Sequence, residues 1–313
     1  MRIVYTLLIL FAAAGGLVSC RSSQRHSGEE TEQPSRLKRI PFPQAVPDDP
    51  YAAETGAEWL RDHFWERFDF SDTTLLVRID TSEMYQSFAN YTFLVGPEDE
   101  AAMRTLFEKA AVSTPMLTYF GEMARDVLHD PNSPLRSDRL YVPVLEVMLA
   151  SGRLGVLETA VAETELRRAR LNREGEPAND FRYETLDGRR GHLYGLKADY
   201  VLLFFNNPGC PMCRDLTTRL TESQLLSGMV ERGELVLLSL YPDEDLDAWR
   251  KDPHAAPRWI AAHDEARQIS EKELYDLKAI PSLYLLDREK RVLVKDADAV
   301  ERIEWEINRR KER

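Results

Sequence analysis

The stretch Tyr200-Val201-Leu202-Leu203-Phe204-Phe205-Asn206-Asn207-Pro208-Gly209-Cys210-Pro211-Met212-Cys213 decides how the C-terminal part of the chain is built. Its first six residues form an unbroken apolar run that stops at an Asn-Asn-Pro-Gly turn signal. That pattern predicts a central strand buried on both faces, since a half-exposed strand would alternate apolar with polar. The two cysteines open a helical stretch carrying Leu216 and Leu220. Working outward, Leu235 to Leu240 reads as a second buried strand and Glu265 to Leu277 as a helix. Leu283 to Leu286 and Val292 to Val294 read as further strands, and Val300 to Arg309 as a closing amphipathic helix. Upstream, Phe181, Tyr183 and the Asp187-Gly188 turn suggest an opening hairpin. The order is a βαβ unit followed by ββα, an α/β arrangement.

The position of the cysteines carries the chemistry. A sulfur at the amino end of a helix faces unpaired N–H groups and the positive end of the dipole, which favour thiolate and lower a thiol pKa ordinarily near 8.5. Cys210 is therefore the expected attacking sulfur. Cys213, one turn later and nearer the interior, can resolve a mixed disulfide by intramolecular attack. Pro211 suits the first helical turn but removes one N–H from the sulfur's surroundings. Two other uses of such a pair fit less well. A purely structural disulfide closing so short a loop would restrict the unfolded chain little. Half of a zinc site would need two more ligands, and the six histidines offer no HxxxH arrangement, so no metal is expected.

The N-terminus sets the compartment. Met1-Arg2 and the apolar run Ile3 to Leu17 have the length of a secretory signal and are short for a membrane span. The run ends in Leu17-Val18-Ser19-Cys20, which resembles the lipobox of bacterial lipoproteins. That resemblance implies removal of residues 1–19 and lipidation of Cys20, leaving Cys210 and Cys213 as the only thiols of a three-cysteine chain. Residues 20–53, rich in proline and without apolar periodicity, read as a flexible tether. About thirty such residues could reach roughly 100 Å when extended. Arg21-Ser22-Ser23-Gln24-Arg25 after the cysteine favours retention inside the periplasm, at the outer membrane more than the inner. A net charge of −12 disfavours nucleic-acid binding, and 43% hydrophobic with 30% charged residues is ordinary globular composition.

Residues 54–173 read as an all-α domain. Met116, Tyr119, Phe120, Met123 and Val127 recur at helical spacing, as do Tyr141, Val144, Leu145, Met148 and Leu149. Thr114-Pro115 and Ser133-Pro134 read as helix starts. The aromatic group Trp59, Phe64, Trp65 and Phe68 reads as core packing, and His63 and His129 as isolated residues rather than metal ligands.

Strand, CxxC at a helix start, crossover strand and then Ala279-Ile280-Pro281-Ser282 leading into a hairpin resemble the thioredoxin fold, and more closely its TlpA-like periplasmic branch. The resemblance covers about 180–313. It implies a central mixed sheet flanked by helices over 174–313, a cis peptide at Pro281 lying against the disulfide, and backbone groups of Ile280 offered to an extended substrate. Pro211 and Met212 complete the expected substrate contacts. His63-Phe64-Trp65-Glu66-Arg67-Phe68-Asp69-Phe70-Ser71-Asp72 and Asp130-Pro131-Asn132-Ser133-Pro134-Leu135-Arg136 resemble the uncharacterised helical domain that precedes such domains in certain bacterial lipoproteins.

Departures from the pattern are equally specific. The buried acid common six residues before the first cysteine is replaced by Phe204. The glutamate often found three residues past the second is replaced by Leu216, which leaves Asp215 as a candidate proton acceptor, or as a plain first-turn acid. Gly209 stands where a tryptophan is common, and a peroxidase pattern would want Pro and Thr at Leu203 and Asn207. The resemblance implies a lipid-anchored thiol–disulfide oxidoreductase acting on disulfides of exported proteins. Electrons would come from a membrane-embedded thiol donor, and no cofactor is needed beyond the cysteine pair. The other reading is a binding module with a vestigial CxxC.

Overall fold

The computed structural model describes residues 37–45, 56–97 and 99–311. The expected leader, Cys20 and most of the expected tether lie outside them. Among the described residues seven α-helices come first: α1 (Gly56–His63), α2 (Leu75–Arg78), α3 (Thr81–Val95), α4 (Glu100–Ala110), α5 (Thr114–Ala124), which runs on into a π-helical turn at Arg125–His129, α6 (Asp138–Ala150) and α7 (Val156–Ala169). Starts are set by side-chain caps: the Asp80, Asp99, Ser113 and Ser137 side chains accept from Ser82, Ala102, Met116 and Leu140 N–H. The cap of α5 is thus Ser113, one residue before the expected Thr114. Ser133-Pro134 does not start a helix. Asp130 accepts from the Asn132 N–H at 2.7 Å and the Ser133 hydroxyl donates to the Val127 carbonyl, so the segment closes as turns and α6 waits for Ser137.

The helical core is aromatic. Trp65 lies 5.3 Å from Phe120 and 5.7 Å from both Phe68 and Tyr91, with edge-on geometry that suits the ring quadrupoles. Packing is therefore the role of Phe64, Trp65 and Phe68, while Trp59 stands apart, stacked on His63 at 4.4 Å. Part of the expected tether also belongs to this core. Phe42 is buried against Trp65 at 5.3 Å, and the Ile40 N–H donates to the Arg78 carbonyl. One aromatic side chain among polar residues and prolines gives no period, so this docking leaves no pattern in sequence.

The C-terminal part runs β1 (Arg182–Thr185), β2 (Arg190–His192), β3 (Tyr200–Phe205), α8 (Pro211–Glu222), α9 (Gln224–Arg232), β4 (Leu235–Tyr241), α10 (Leu246–Lys251), β5 (Ile260–Asp264), α11 (Gln268–Glu271), β6 (Ser282–Asp287), β7 (Val292–Ala297) and α12 (Val300–Lys311). One mixed sheet forms in the order β2-β1-β5-β4-β3-β6-β7, with β3, β4 and β5 parallel, β1 and β6 antiparallel to them, and the edge strands β2 and β7 antiparallel in turn to β1 and β6. Leu202 and Phe204 pack into one core with α8, α9 and α12. Val201, Leu203 and Phe205 pack into the other with Phe181, Ile269 and Tyr275. Two elements differ from the sequence reading. The strand β5 was not foreseen, because Ile260-Ala261-Ala262-His263-Asp264 is short and rich in alanine and is held by pairing with β4 and β1. Only α11 and a short 3₁₀ turn appear where a helix over Glu265 to Leu277 was expected. The chain breaks at left-handed Ala266, Arg267 and Glu273, and Tyr275 turns inward to donate to the Asn179 carbonyl.

Two measurements test this packing. Phe120→Ala should cost about 3–5 kcal/mol in denaturant-induced unfolding; a loss below about 1 kcal/mol would mean that the aromatic cluster does not form the core of the helical part. Burial, and then the Lys278 ammonium, hold the half-buried His129 imidazole below the ordinary histidine value near 6.5. The unfolded chain therefore binds this proton first, and stability is lost as pH falls below about 6.5. His129→Gln should flatten that part of the stability–pH curve, and an unchanged curve would refute the assignment.

Candidate functional site

The site grows from the carboxyl end of β3. Buried Asn206 ends the strand with its amide donating to the Phe204 carbonyl and the Ser239 hydroxyl oxygen, both at 2.9 Å. Gly209 then adopts φ +71°, a left-handed conformation that costs a glycine little, and its N–H donates to the Asp252 carboxylate at 2.9 Å. This turn delivers Cys210 to the N-cap of α8. Its sulfur accepts from the Cys213 N–H at 3.0 Å, and Pro211 occupies the first turn.

Cys210 and Cys213 form a disulfide with Cα atoms 5.2 Å apart. Their environments differ. Cys210 is half-buried at the rim, whereas Cys213 is fully buried with Phe204, Leu216 and Leu220. Met212 between them is 66% exposed and forms part of the surface around the rim. The Ile280–Pro281 peptide is cis. Ser282 pairs with Phe205 in the β3–β6 ladder, so register brings Pro281 to the end of β3 from which the cysteine loop departs. Ile280 packs on the same apolar cluster as Cys210.

Asp215 is placed differently. It lies on the exposed face of α8, off the buried stripe Cys213, Leu216 and Leu220. Phe204 is fully buried where the resemblance would have put an acid, and the imidazole of His254, 1% exposed, lies edge-on to it at 6.3 Å. His254 Nε2 donates to the Asn207 carbonyl at 2.8 Å, with the Asp252 carboxylate 3.9 Å away. A carbonyl can only accept, so the proton sits on Nε2. Nδ1 faces the Thr217 hydroxyl at 3.4 Å, which in turn donates to the Cys213 carbonyl at 2.7 Å. Sequence reasoning missed Asp252 and His254 because they follow α10, far along the chain from the cysteines, as a lone acid and a lone histidine. Among the described residues, no group of three or more His, Cys, Asp or Glu side chains is arranged to hold a metal ion.

The family model described as Domain of unknown function (DUF5106) matches residues 19–172. The C-terminal domain of an uncharacterized protein from Bacteroides fragilis is 44% identical over 43% of this chain and 96% of its own, with a TM-score of 0.42. Nucleoredoxin from Xenopus laevis is 32% identical over 103 residues, 32% of this chain. The chain spans about a quarter of the length of the curated relatives it matches, 24% of the Xenopus protein. A thioredoxin-like protein from Bacteroides caccae, of known crystal structure, is 37% identical over 86% of this chain and 99% of its own, with a TM-score of 0.79. With the whole of that relative matched, helical part and sheet together, this chain belongs to the same family of thioredoxin-like proteins.

Proposed function

We propose that this protein is a thiol–disulfide oxidoreductase of the TlpA-like branch, anchored through lipidated Cys20 and working in the periplasm, with the outer membrane favoured over the inner. The observation that carries the redox reading is the asymmetry of the pair, with a half-buried Cys210 at the N-cap of α8 and a fully buried Cys213 behind it. In the reduced protein the Cys210 thiolate attacks a substrate disulfide. A mixed disulfide forms and one substrate thiolate leaves, taking up a proton. Cys213 then attacks Cys210 as a thiolate, after giving up its proton, and releases the second substrate sulfur. The substrate gains two electrons and the Cys210–Cys213 bond is made. The backbone at Ile280–Pro281 and the surface of Pro211 and Met212 would contact the substrate chain. Asp215, exposed on α8, keeps its sequence assignment as a candidate proton acceptor only through bulk water.

The substrates proposed are disulfides of exported proteins, the electron source a membrane-embedded thiol donor, and no cofactor beyond the cysteine pair takes part. The lipobox-like Leu17 to Cys20 supports the membrane anchor, and the net charge of −12 supports protein rather than nucleic-acid partners.

Cys210→Ser should abolish insulin reduction, and Cys213→Ala should accumulate mixed disulfides with substrate proteins. Turnover unchanged in Cys210→Ser, or none in the wild type, would leave a binding module. Equilibration of the pair against glutathione sets the direction, with a potential of about −270 mV marking a reductant and one of about −120 mV an oxidant. Cys20→Ala should move the protein from the membrane to the soluble fraction of the cell envelope, and continued membrane retention would remove the lipid-anchor assignment.

A further inference from the structure

The segment 276–282 carries the cis Ile280–Pro281 peptide to the end of β3 from which the cysteine loop departs, and its Lys278 reaches the helical part of the molecule. Asp138 opens α6, and its carboxylate is 11% exposed. It accepts from Lys278 Nζ at 2.5 Å and from Lys295 Nζ at 2.7 Å. Both ammonium groups are 7% exposed. Lys295 also donates to the Ala169 and Leu171 carbonyls at the end of α7, at 3.0 and 2.7 Å, and Lys278 lies 3.2 Å from Asp276. Beside this cluster, Arg136 donates to the Pro131 carbonyl of its own loop at 2.8 Å and to the Asp296 carbonyl of β7. Asp296 accepts from the Ser282 hydroxyl at 2.7 Å. The contacts reach the recognition segment from both sides, at Lys278 two residues before Ile280 and at Ser282 directly after Pro281.

A buried ionic cluster is a costly way to gain stability, because desolvation offsets most of the attraction and apolar residues could fill the same volume. Directionality is what it supplies. Apolar side chains tolerate sliding, whereas a carboxylate between two ammonium groups, each oxygen engaged, fixes the segment along the chain as well as against the core.

We infer that the helical part, through Asp138 and Arg136, holds the segment 276–282 in the position that receives a polypeptide disulfide, so that both are positioning residues for protein substrates. The inference rests on the thiol–disulfide reading above. A small disulfide needs only Cys210, while a polypeptide must also lie along Ile280 and Pro281. Loss of the clamp should therefore weaken protein substrates alone.

The test uses the full chain, with dithiothreitol as reductant for insulin as the protein disulfide; for 5,5′-dithiobis(2-nitrobenzoate) as the small one, the pre-reduced protein, freed of dithiothreitol, is followed through a single turnover. Arg136→Gln and Asp138→Asn should raise KM for insulin about tenfold, the scale of one lost charge-assisted hydrogen bond. The insulin kcat, the small-disulfide rate and the equilibrium potential of the cysteine pair should stay within about twofold of wild type. Asp138→Asn leaves two buried ammonium groups facing an amide and can fail to fold; Arg136→Gln, verified as folded by circular dichroism, then decides alone. A folded Arg136→Gln protein with wild-type KM for insulin would overturn the inference, as would an equal loss on the small disulfide or a shifted potential. A wild-type protein inactive on both disulfides would instead remove the enzymatic reading, and this inference with it.

Discussion

Everything at the site depends on a strand that is buried on both faces. Tyr200 to Phe205 alternates its side chains between two cores, so a slip of one residue would send Phe204 into the Tyr275 side and Phe205 into the α8 side. Parallel pairing with β4 and antiparallel pairing with β6 hold that register along the whole strand. The chain leaves β3 at a fixed height and orientation, and a four-residue loop has little freedom to place Cys210 anywhere but the mouth of α8. The same ladder sets Ser282 opposite Phe205, so the cis peptide and the disulfide share one anchor.

Around that anchor a few polar side chains tie the loop down. The Asn206 amide, the Ser239 hydroxyl, the Asp252 carboxylate and the His254 imidazole tie the segment 206–209 to the strand β4 and to the turn after α10. Phe204 leaves the interior behind Cys213 apolar. The two sulfurs therefore sit in different surroundings, Cys210 half-buried at a helix start and Cys213 in an apolar interior. The difference in burial between the two sulfurs thus follows from where β3 ends and from what fills the space beneath it.

What sequence disclosed, and what it concealed, follows the range of the forces involved. The apolar run of β3, the hairpin at Asp187-Gly188 and the cysteine turn are local patterns, written in consecutive residues, and they lie where expected. The strand β5 is strand only because β4 and β1 flank it, and Phe42 is buried only because Trp65 and Phe64 wait for it. Ser133-Pro134 carries the composition of a helix start yet closes a turn, because Ser137 offers a better cap ahead of an apolar face. Asp252 and His254 reach the cysteine loop from about 40 residues downstream, and no spacing rule connects a lone histidine to a distant carbonyl.

The two parts of the chain have separate apolar cores and meet across charged side chains, and this sets how one can influence the other. Apolar contact would hold the parts together with little preference among neighbouring positions. The carboxylates of Asp138 and Asp296 instead face Lys278, Lys295 and Arg136 with little exposure to water, where displacement leaves an unpaired buried charge. The placement of α6 against β7 is therefore narrow, and so is that of the chain between Asp276 and Ser282. The helical part and the chain that carries the cis Ile280–Pro281 peptide are in this way coupled through paired charges rather than through a shared apolar core.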